Sequence, residues 1–409
     1  MMLATSGMNR RAVWGFALYD FANSAFILIF NSFLFPIYFR EYVFSGNPRA
    51  DLYWGITLGV SVAVALLLGP LVGHIADRWE RRKTLGISVA VTSCGMLCLA
   101  ILPPDLVWTI TGVFAATNAS YVLSLTLYDS LLPHIAPREK RSLVSGFAWG
   151  FGYIGGVICI ALVYGLQGGS LEPGLVGFLA TAVFYAGSGG LSLILLPKLP
   201  KRESAERLFE KIRTHITPSI LLLLVAFWLV NGAIDIAIYF TSIFASTTLS
   251  LSTNTVGALL LGMQVVAFPA TCVVAYLATR RGERKVLNGT FFIWGGIALG
   301  FVFARSMSHF ALIALATAFV IGSSQSLMRS YFSNQMPEAV SGVSFGFYSV
   351  VARSSALFAP ALFGIVSSAF GSQRLAMLLI LPLVVFGSIL LMLYRGTGGS
   401  CKAKLQSNG

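Results

Sequence analysis

Apolar residues in this chain gather into long unbroken runs, and polar residues collect in the gaps between them. Runs of about 20 residues, each enough for a helix to cross ~30 Å of hydrocarbon, occupy roughly 14–39, 52–74, 85–103, 107–132, 143–166 and 175–196. The series resumes at 218–243, 255–279, 287–304, 310–332, 342–368 and 374–394. The pattern predicts an all-α polytopic membrane protein of twelve transmembrane helices, six on each side of one long charged interval, "PKLPKRESAERLFEKIRTH". That interval suits a short amphipathic helix lying on the membrane surface. The expected division is a six-helix bundle over 1–197, a linker over 198–217, a second bundle over 218–395 and a disordered tail over 396–409.

The second half echoes the first. "AYLATRRGERK" (275–285) follows "GHIADRWERRK" (73–83) at an offset of 202, and Pro337, Ser330 and "FGF" (345–347) match Pro137, Ser130 and "SGF" (145–147) at 200. Several matches at nearly one offset, landing on equivalent loops, predict two halves in parallel repeat, related by an axis along the membrane normal.

Composition agrees and excludes a soluble chain: 56% of the 409 residues are hydrophobic and 11% charged, against about 25% charged in soluble proteins. The formal charge of +13 raises nucleic acid as a partner, and the placement of the charges argues against it. With both ends and the linker on one side, that side carries 22 of the 28 lysines and arginines, and the other only Arg40, Arg49, Arg305 and Arg374. This is the positive-inside asymmetry of a membrane protein with cytoplasmic termini, expected in a bacterial inner membrane. The first apolar run exceeds a signal-peptide core and lacks a convincing cleavage site, which predicts a retained helix. Cys94, Cys98, Cys159 and Cys272 lie in apolar runs and read as plain core residues. Much of the aromatic excess is expected to face lipid or the interface, as at Tyr38, Tyr53, Trp54 and Trp108 near helix ends.

Polar groups inside the runs are the candidates for chemistry. A carboxylate at the bilayer centre costs about 2.5–3.5 kcal/mol on insertion scales, so Asp20 and Asn23, inside "WGFALYDFANSAF", require a partner, a wet cavity or bound solute. Asp20, Asn23, Ile27 and Asn31 recur at three- and four-residue steps and so share one helix face. Asn118, Tyr121 and Tyr128 do the same on the fourth helix, Asn231, Asp235 and Tyr239 on the seventh, and Gln325 and Arg329 on the tenth. Such stripes must face protein or water. Arg353 lies about 16 Å into the eleventh helix at 1.5 Å per residue, and needs a carboxylate such as Asp235 or an anionic solute. A carboxylate withdrawn from water can exchange protons near neutral pH, which makes Asp20 and Asp235 the proton-carrier candidates; Asp20 could also contact solute or simply anchor its helix. Asp129 and Arg329 sit within a turn of the inner surface at equivalent positions of the two halves, and both suit a gate ion pair. Gly146, Gly150, Gly152, Gly155 and Gly156 give the fifth helix small faces for close helix approach.

The loop "GHIADRWERRKTL" resembles the cytoplasmic signature of the major facilitator superfamily, Gly-x-x-x-Asp-Arg-x-Gly-Arg-Arg. Gly73, Asp77, Arg78, Arg81 and Arg82 match, while Glu80 replaces the second glycine. The opening motif "WGFALYDFANSAF" resembles the first helix of one branch, the unknown-major-facilitator family related to the vacuolar effluxer proteins of autophagy. "LYDSLLPHI" (127–135), "SGFAWGFGYIGG" (145–156), "GSSQSLMRSYF" (322–332) and "FGFYSVVARSSALFAPALFG" (345–364) resemble its fourth, fifth, tenth and eleventh helices. The seventh departs: "VNGAID" moves the acid of an Asn-Asp-Gly cluster to Asp235. The resemblance implies a major facilitator fold whose first, fourth, seventh and tenth helices line a central cavity. It also implies a cytoplasmic gate latch at Asp77, Arg78, Arg81 and Arg82, and alternating-access transport of an amino-acid-like metabolite, with efflux favoured and proton coupling open.

The remaining functions fit less well. "GVSFG" (342–346) matches a nucleophile-elbow pattern but begins a membrane helix instead of joining a strand to one. No metal-ligand spacing or phosphate loop occurs, so no cofactor or metal is expected and an enzyme is not the reading. A non-transporting sensor would carry an added domain. A drug or siderophore efflux pump of the same fold is the alternative, and a monomer in the bilayer binding a small solute, and protons if coupled, is the expected form.

Overall fold

The computed structural model describes residues 9–198, 217–335 and 341–394; within these, the side chains at 70, 74, 77, 78, 133, 138–143, 333, 341–347 and 349 are not described. The linker helix and the tail expected from sequence therefore fall almost wholly outside the described residues. All regular structure among the described residues is helical.

Among the described residues, twelve helices are long and apolar enough to cross a membrane. They are α1 (Arg10–Val43), α2 (Ala50–Arg78), α3 (Arg81–Ile101), α4 (Val107–Asp129), α5 (Arg138–Leu166) and α6 (Leu175–Leu195). The second set is α7 (Pro218–Thr248), α8 (Thr253–Arg281), α9 (Glu283–Phe303), α10 (Met307–Gln335), α11 (Ser341–Phe370) and α12 (Gln373–Leu393). Helix starts carry the residues that satisfy free backbone amides: Asn9 accepts from Arg11 and Ala12, Thr217 from Ile220 ahead of Pro218, Ser252 from Thr255 and Ser372 from Leu375.

Each half packs in the same way. α1 lies against α5 and α6, α4 against α2 and α3, and α3 against α6; in the second half α7, α10 and α9 repeat those contacts with helices six places further on. The two halves meet through two equivalent seams, α2 with α11 and α8 with α5. The start of α1 and the end of α12 lie on one side of the bundle, called here the terminal face; the other is the opposite face.

Two helices are not regular. α1 widens into π-helix over Ile27–Ser32, resumes as α-helix at Leu34–Tyr38 and widens again over Phe39–Val43. Pro36 explains the first break, because it has no N–H to give the carbonyl of residue 32 four positions back. The backbone turns out of helical geometry one residue later, at Phe33 (φ −129°, ψ −91°). α7 ends in a π-helical turn, Phe244–Thr248. Neither feature leaves a mark on the hydrophobic pattern.

Three expectations are corrected by the packing. The aromatic excess is largely interior: Trp54, Phe16, Phe26, Phe30, Phe35 and Phe39 are fully buried, and only Trp108 of the expected interfacial set is strongly exposed. They stack on one another along α1, as in Phe35 on Phe114 at 4.7 Å and Phe26 on Tyr121 at 4.3 Å, which is worth about 0.5–1.5 kcal/mol a pair beyond burial. Cys94, Cys98 and Cys272 face outward and, among the described cysteines, only Cys159 is buried, because sulfur in a lipid-facing position is no less apolar than in a core. Gly146 meets none of the described residues where a Cβ would sit, whereas Gly152 and Gly155 press on the α1 backbone at Asp20 and Phe21.

Candidate functional site

The polar stripes converge. A cavity of about 300 Å³ between the two halves is lined by Asp20, Asn23, Asn31, Tyr121, Asn231, Asp235, Tyr239, Gln325 and Arg353, each a sequence candidate. That volume lies at the lower end of small-molecule pockets. Asp129 and Arg329, expected at a gate, line the same cavity. Asn118 does not line it; it stands behind the wall, 1% exposed, and accepts a 3.1 Å hydrogen bond from the Asn31 amide while donating to Ser61 at 2.6 Å. This relay ties the π-helical stretch of α1 to α4 and α2, with Asn118 holding the Asn31 amide from behind the cavity wall.

The charged centre of the site is one carboxylate shared by two guanidiniums. Asp129, on α4, accepts from Arg353 of α11 at 2.6 Å and from Arg329 of α10 at 3.4 Å. Arg329 also donates to Ser145 on α5 at 2.8 Å and lies 5.3 Å over the ring of Trp149. The partner suggested for Arg353, Asp235, is thereby corrected: Asp235 accepts from Ser355 at 2.6 Å instead. The reason is reach, since α4 ends beside the middle of α11, whereas Asp235 lies nearer the opposite face on α7. Asp129 and Arg329 occupy matching places in the repeat. At a pseudo-two-fold axis a residue faces its own counterpart, and the chain sets opposite charges there.

Unpartnered polar atoms stand on both walls of the cavity. Both ends of the Asn23 amide and the Asn31 carbonyl oxygen on α1 have no hydrogen-bond partner, although each residue is 3% exposed. On the other wall the Arg353 Nε and the Asn231 amide nitrogen are likewise unmatched. The Asp20 carboxylate lies beside Asn23 and Tyr128 on the α1 side. Acceptors thus dominate α1, in the first half, and free donors stand on α7 and α11, in the second. Between them the wall is apolar, with Ile27, Leu28, Leu260, Met263 and Ile321.

Of the remaining residues expected at a gate, Arg81 lies 3.5 Å from the Ser130 hydroxyl, and Arg82 pairs with Glu80 at 3.3 Å and donates to the Leu196 carbonyl at 3.2 Å. The side chains of Asp77 and Arg78 are outside the described residues. Sequence reasoning missed Trp149, Tyr153 and Ser355. Trp149 and Tyr153 are four apart, so they share a face of α5, and the Trp149 indole donates to the Tyr153 hydroxyl at 3.2 Å. Their spacing within the glycine-rich motif was the available signal.

Two pseudo-symmetric six-helix halves around a charged central cavity are the architecture of the major facilitator fold. A D-xylose–proton symporter shares that architecture with a TM-score of 0.70 over 94% of this chain and 96% of its own, at 14% identity. The chain belongs to the vacuole effluxer Atg22-like family, whose model matches residues 42–402. The match begins after the first-helix motif, so the family assignment does not depend on it. Among curated relatives, the uncharacterized MFS-type transporter YxiO of Bacillus subtilis (strain 168) is 25% identical over 402 residues, covering 91% of this chain and 92% of its own. The class H tetracycline resistance protein of Pasteurella multocida is 22% identical over 380 residues, covering 88% and 90%. The protein is therefore an integral, multi-pass membrane transporter.

Proposed function

We propose that this protein is a secondary active transporter that exports a small zwitterionic solute of amino-acid type by alternating access, in exchange for protons. The observation that carries this reading is the division of unmatched groups across the cavity: Asn23 and Asn31 offer unmatched acceptors on α1, beside the Asp20 carboxylate, while Arg353 and Asn231 offer unmatched donors on α11 and α7. An ammonium group fits the first wall and a carboxylate the second. A solute held by both halves at once stabilises the closed cavity, which alternating access requires.

Asp20 and Asp235 are the acids that would carry protons in this scheme, and Asp129 with Arg329 and Arg353 is the ionic link between the halves. Arg81, Arg82, Asp77 and Arg78 belong to the terminal-face gate in the same reading. The lysine and arginine asymmetry supports cytoplasmic termini in a bacterial inner membrane, with the chain dividing into 1–197, 198–217, 218–395 and 396–409. No nucleotide is needed: one charge crossing 100 mV supplies about 2.3 kcal/mol.

The apolar middle of the cavity, together with the tetracycline-resistance relative, favours one second reading, export of an amphipathic drug. A thermal-shift screen of the purified protein separates the two. A saturating ligand, at 100 times its Kd, adds about 2.7 kcal/mol. Stabilisation by amino acids that Asp20→Asn or Arg353→Ala abolishes supports the first reading; stabilisation only by bulky apolar compounds replaces it with the second.

A further inference from the structure

A second polar cluster lies well away from the cavity, near the opposite face. Asp51, at the start of α2, is 2% exposed. One of its oxygens pairs with Arg40 from the end of α1. The other, Oδ2, accepts from Ser367 Oγ of α11 at 2.7 Å and from Gln373 Nε2 of α12 at 2.9 Å. Gln373, 8% exposed, is occupied at its other end too: its Oε1 accepts from Thr247 at 2.8 Å and Thr248 at 2.6 Å, both in the π-helical turn that ends α7. A single buried carboxylate thus joins α1 and α2 of one half to α7, α11 and α12 of the other.

The surrounding backbone is built for the same closure. Gly364 of α11 packs on the α2 backbone at Asp51 and Leu52, Gly55 of α2 packs on the Pro360 carbonyl, and Gly59 on the Leu357 carbonyl. These contacts repeat at about one-turn spacing, and a side chain at any of the three glycines would push the helices apart. Further along α2, Gly69 and Gly73 meet none of the described residues within 4 Å. The backbone-to-backbone contacts described along this seam thus gather toward the opposite face. The seam also touches the cavity, because the Trp54 indole, one turn below Asp51, donates to the backbone carbonyl of Tyr239 at 3.3 Å, and Tyr239 lines the site. α7 carries Asn231, Asp235 and Tyr239 on the cavity and Thr247 and Thr248 on the cluster.

We propose that Asp51 and Gln373 form the lock that holds the opposite face shut, and that their hydrogen bond must part for the cavity to open on that side. Two features distinguish a lock from permanent packing. The groups meeting across the seam are charged-to-neutral, so they can separate without stranding a second charge, and Arg40 remains with Asp51 in its own half to compensate it. The inference concerns the conformational balance and stands whatever the solute is.

The test is a distance measurement by pulsed electron resonance on the full chain in lipid nanodiscs. The native cysteines are replaced, and spin labels are placed at Ser45→Cys and Met307→Cys. Gln373→Glu sets a carboxylate against Asp51; like charges brought together cost several kcal/mol, so the long-distance population rises by about tenfold or more. Asp51→Asn/Gln373→Glu exchanges amide and carboxylate and restores donor to acceptor, so the short distance returns. Gln373→Ala, which adds no charge, gives a smaller shift in the same direction and carries the test should the glutamate variant fail to fold. An unchanged distribution in Gln373→Glu or Gln373→Ala, or a double exchange that stays long, overturns the proposal.

Discussion

The residue that concentrates the electrostatics is Asp129. Its two arginines come from the other half, and all three side chains keep only 13–24% exposure. Removing one member of a buried ion pair strands the other at roughly 3–5 kcal/mol; facing a cavity that water can enter, Asp129→Asn is expected to cost about 3 kcal/mol, the lower end of that range. Adding Arg353→Gln should recover part of the loss, with a coupling of about 1–3 kcal/mol in a double-mutant cycle of thermal unfolding; strictly additive losses would separate the two residues. At Asp20 and Asp235 the prediction concerns coupling. In proteoliposomes with an imposed pH gradient, Asp20→Asn or Asp235→Asn should abolish pH-driven transport while counterflow of solute persists. If both variants keep full pH-driven transport, proton coupling through these acids is wrong. The stripes at three- and four-residue steps made most of these positions legible in the sequence. The partner of Arg353 was not, because it depends on where α4 ends against α11, a tertiary fact that no spacing along one helix encodes.

At the scale of elements, the twelve spans were readable because each apolar run is long enough to leave no competing structure in lipid. What hydrophobicity cannot register is backbone irregularity. The π-helical stretches of α1 and α7 carry Asn31 into the wall and Thr247 and Thr248 to Gln373, and an apolar run looks the same with or without them. Burial of the phenylalanines was also hidden, since lipid and core accept the same residue types. Glycines allow a direct comparison within α5. Gly155→Ala meets the Phe21 backbone and should destabilise by about 1–3 kcal/mol. Gly146→Ala meets none of the described residues and should be neutral or stabilise by up to about 1 kcal/mol through helix propensity. Thermal unfolding of the two variants side by side decides it; equal effects would mean that α1 and α5 do not approach through that glycine.

For the whole molecule, the repeat seen in the loops at offsets of 200–202 reappears as a repeated packing pattern and two equivalent seams. The repeat places the cavity on the axis, so counterparts face each other across it: Asp129 meets Arg329, and Asn31 and Asn231 line opposite walls. If the terminal face is cytoplasmic, a membrane-impermeant maleimide added to intact cells should label a cysteine at Ser45 and spare the native Cys401; the reverse labelling would invert the topology. The central claim is that one solute spans the cavity with a cationic group on α1 and an anionic group on Arg353. The most direct test measures binding of three forms of whichever amino acid stabilises the protein best: the free zwitterion, its methyl ester and its N-acetyl derivative. The account predicts that the zwitterion binds and that blocking either end weakens binding by at least about tenfold, or 1.4 kcal/mol. Equal binding of the ester or the N-acetyl form would contradict it, because one wall of the cavity would then have no part in recognition.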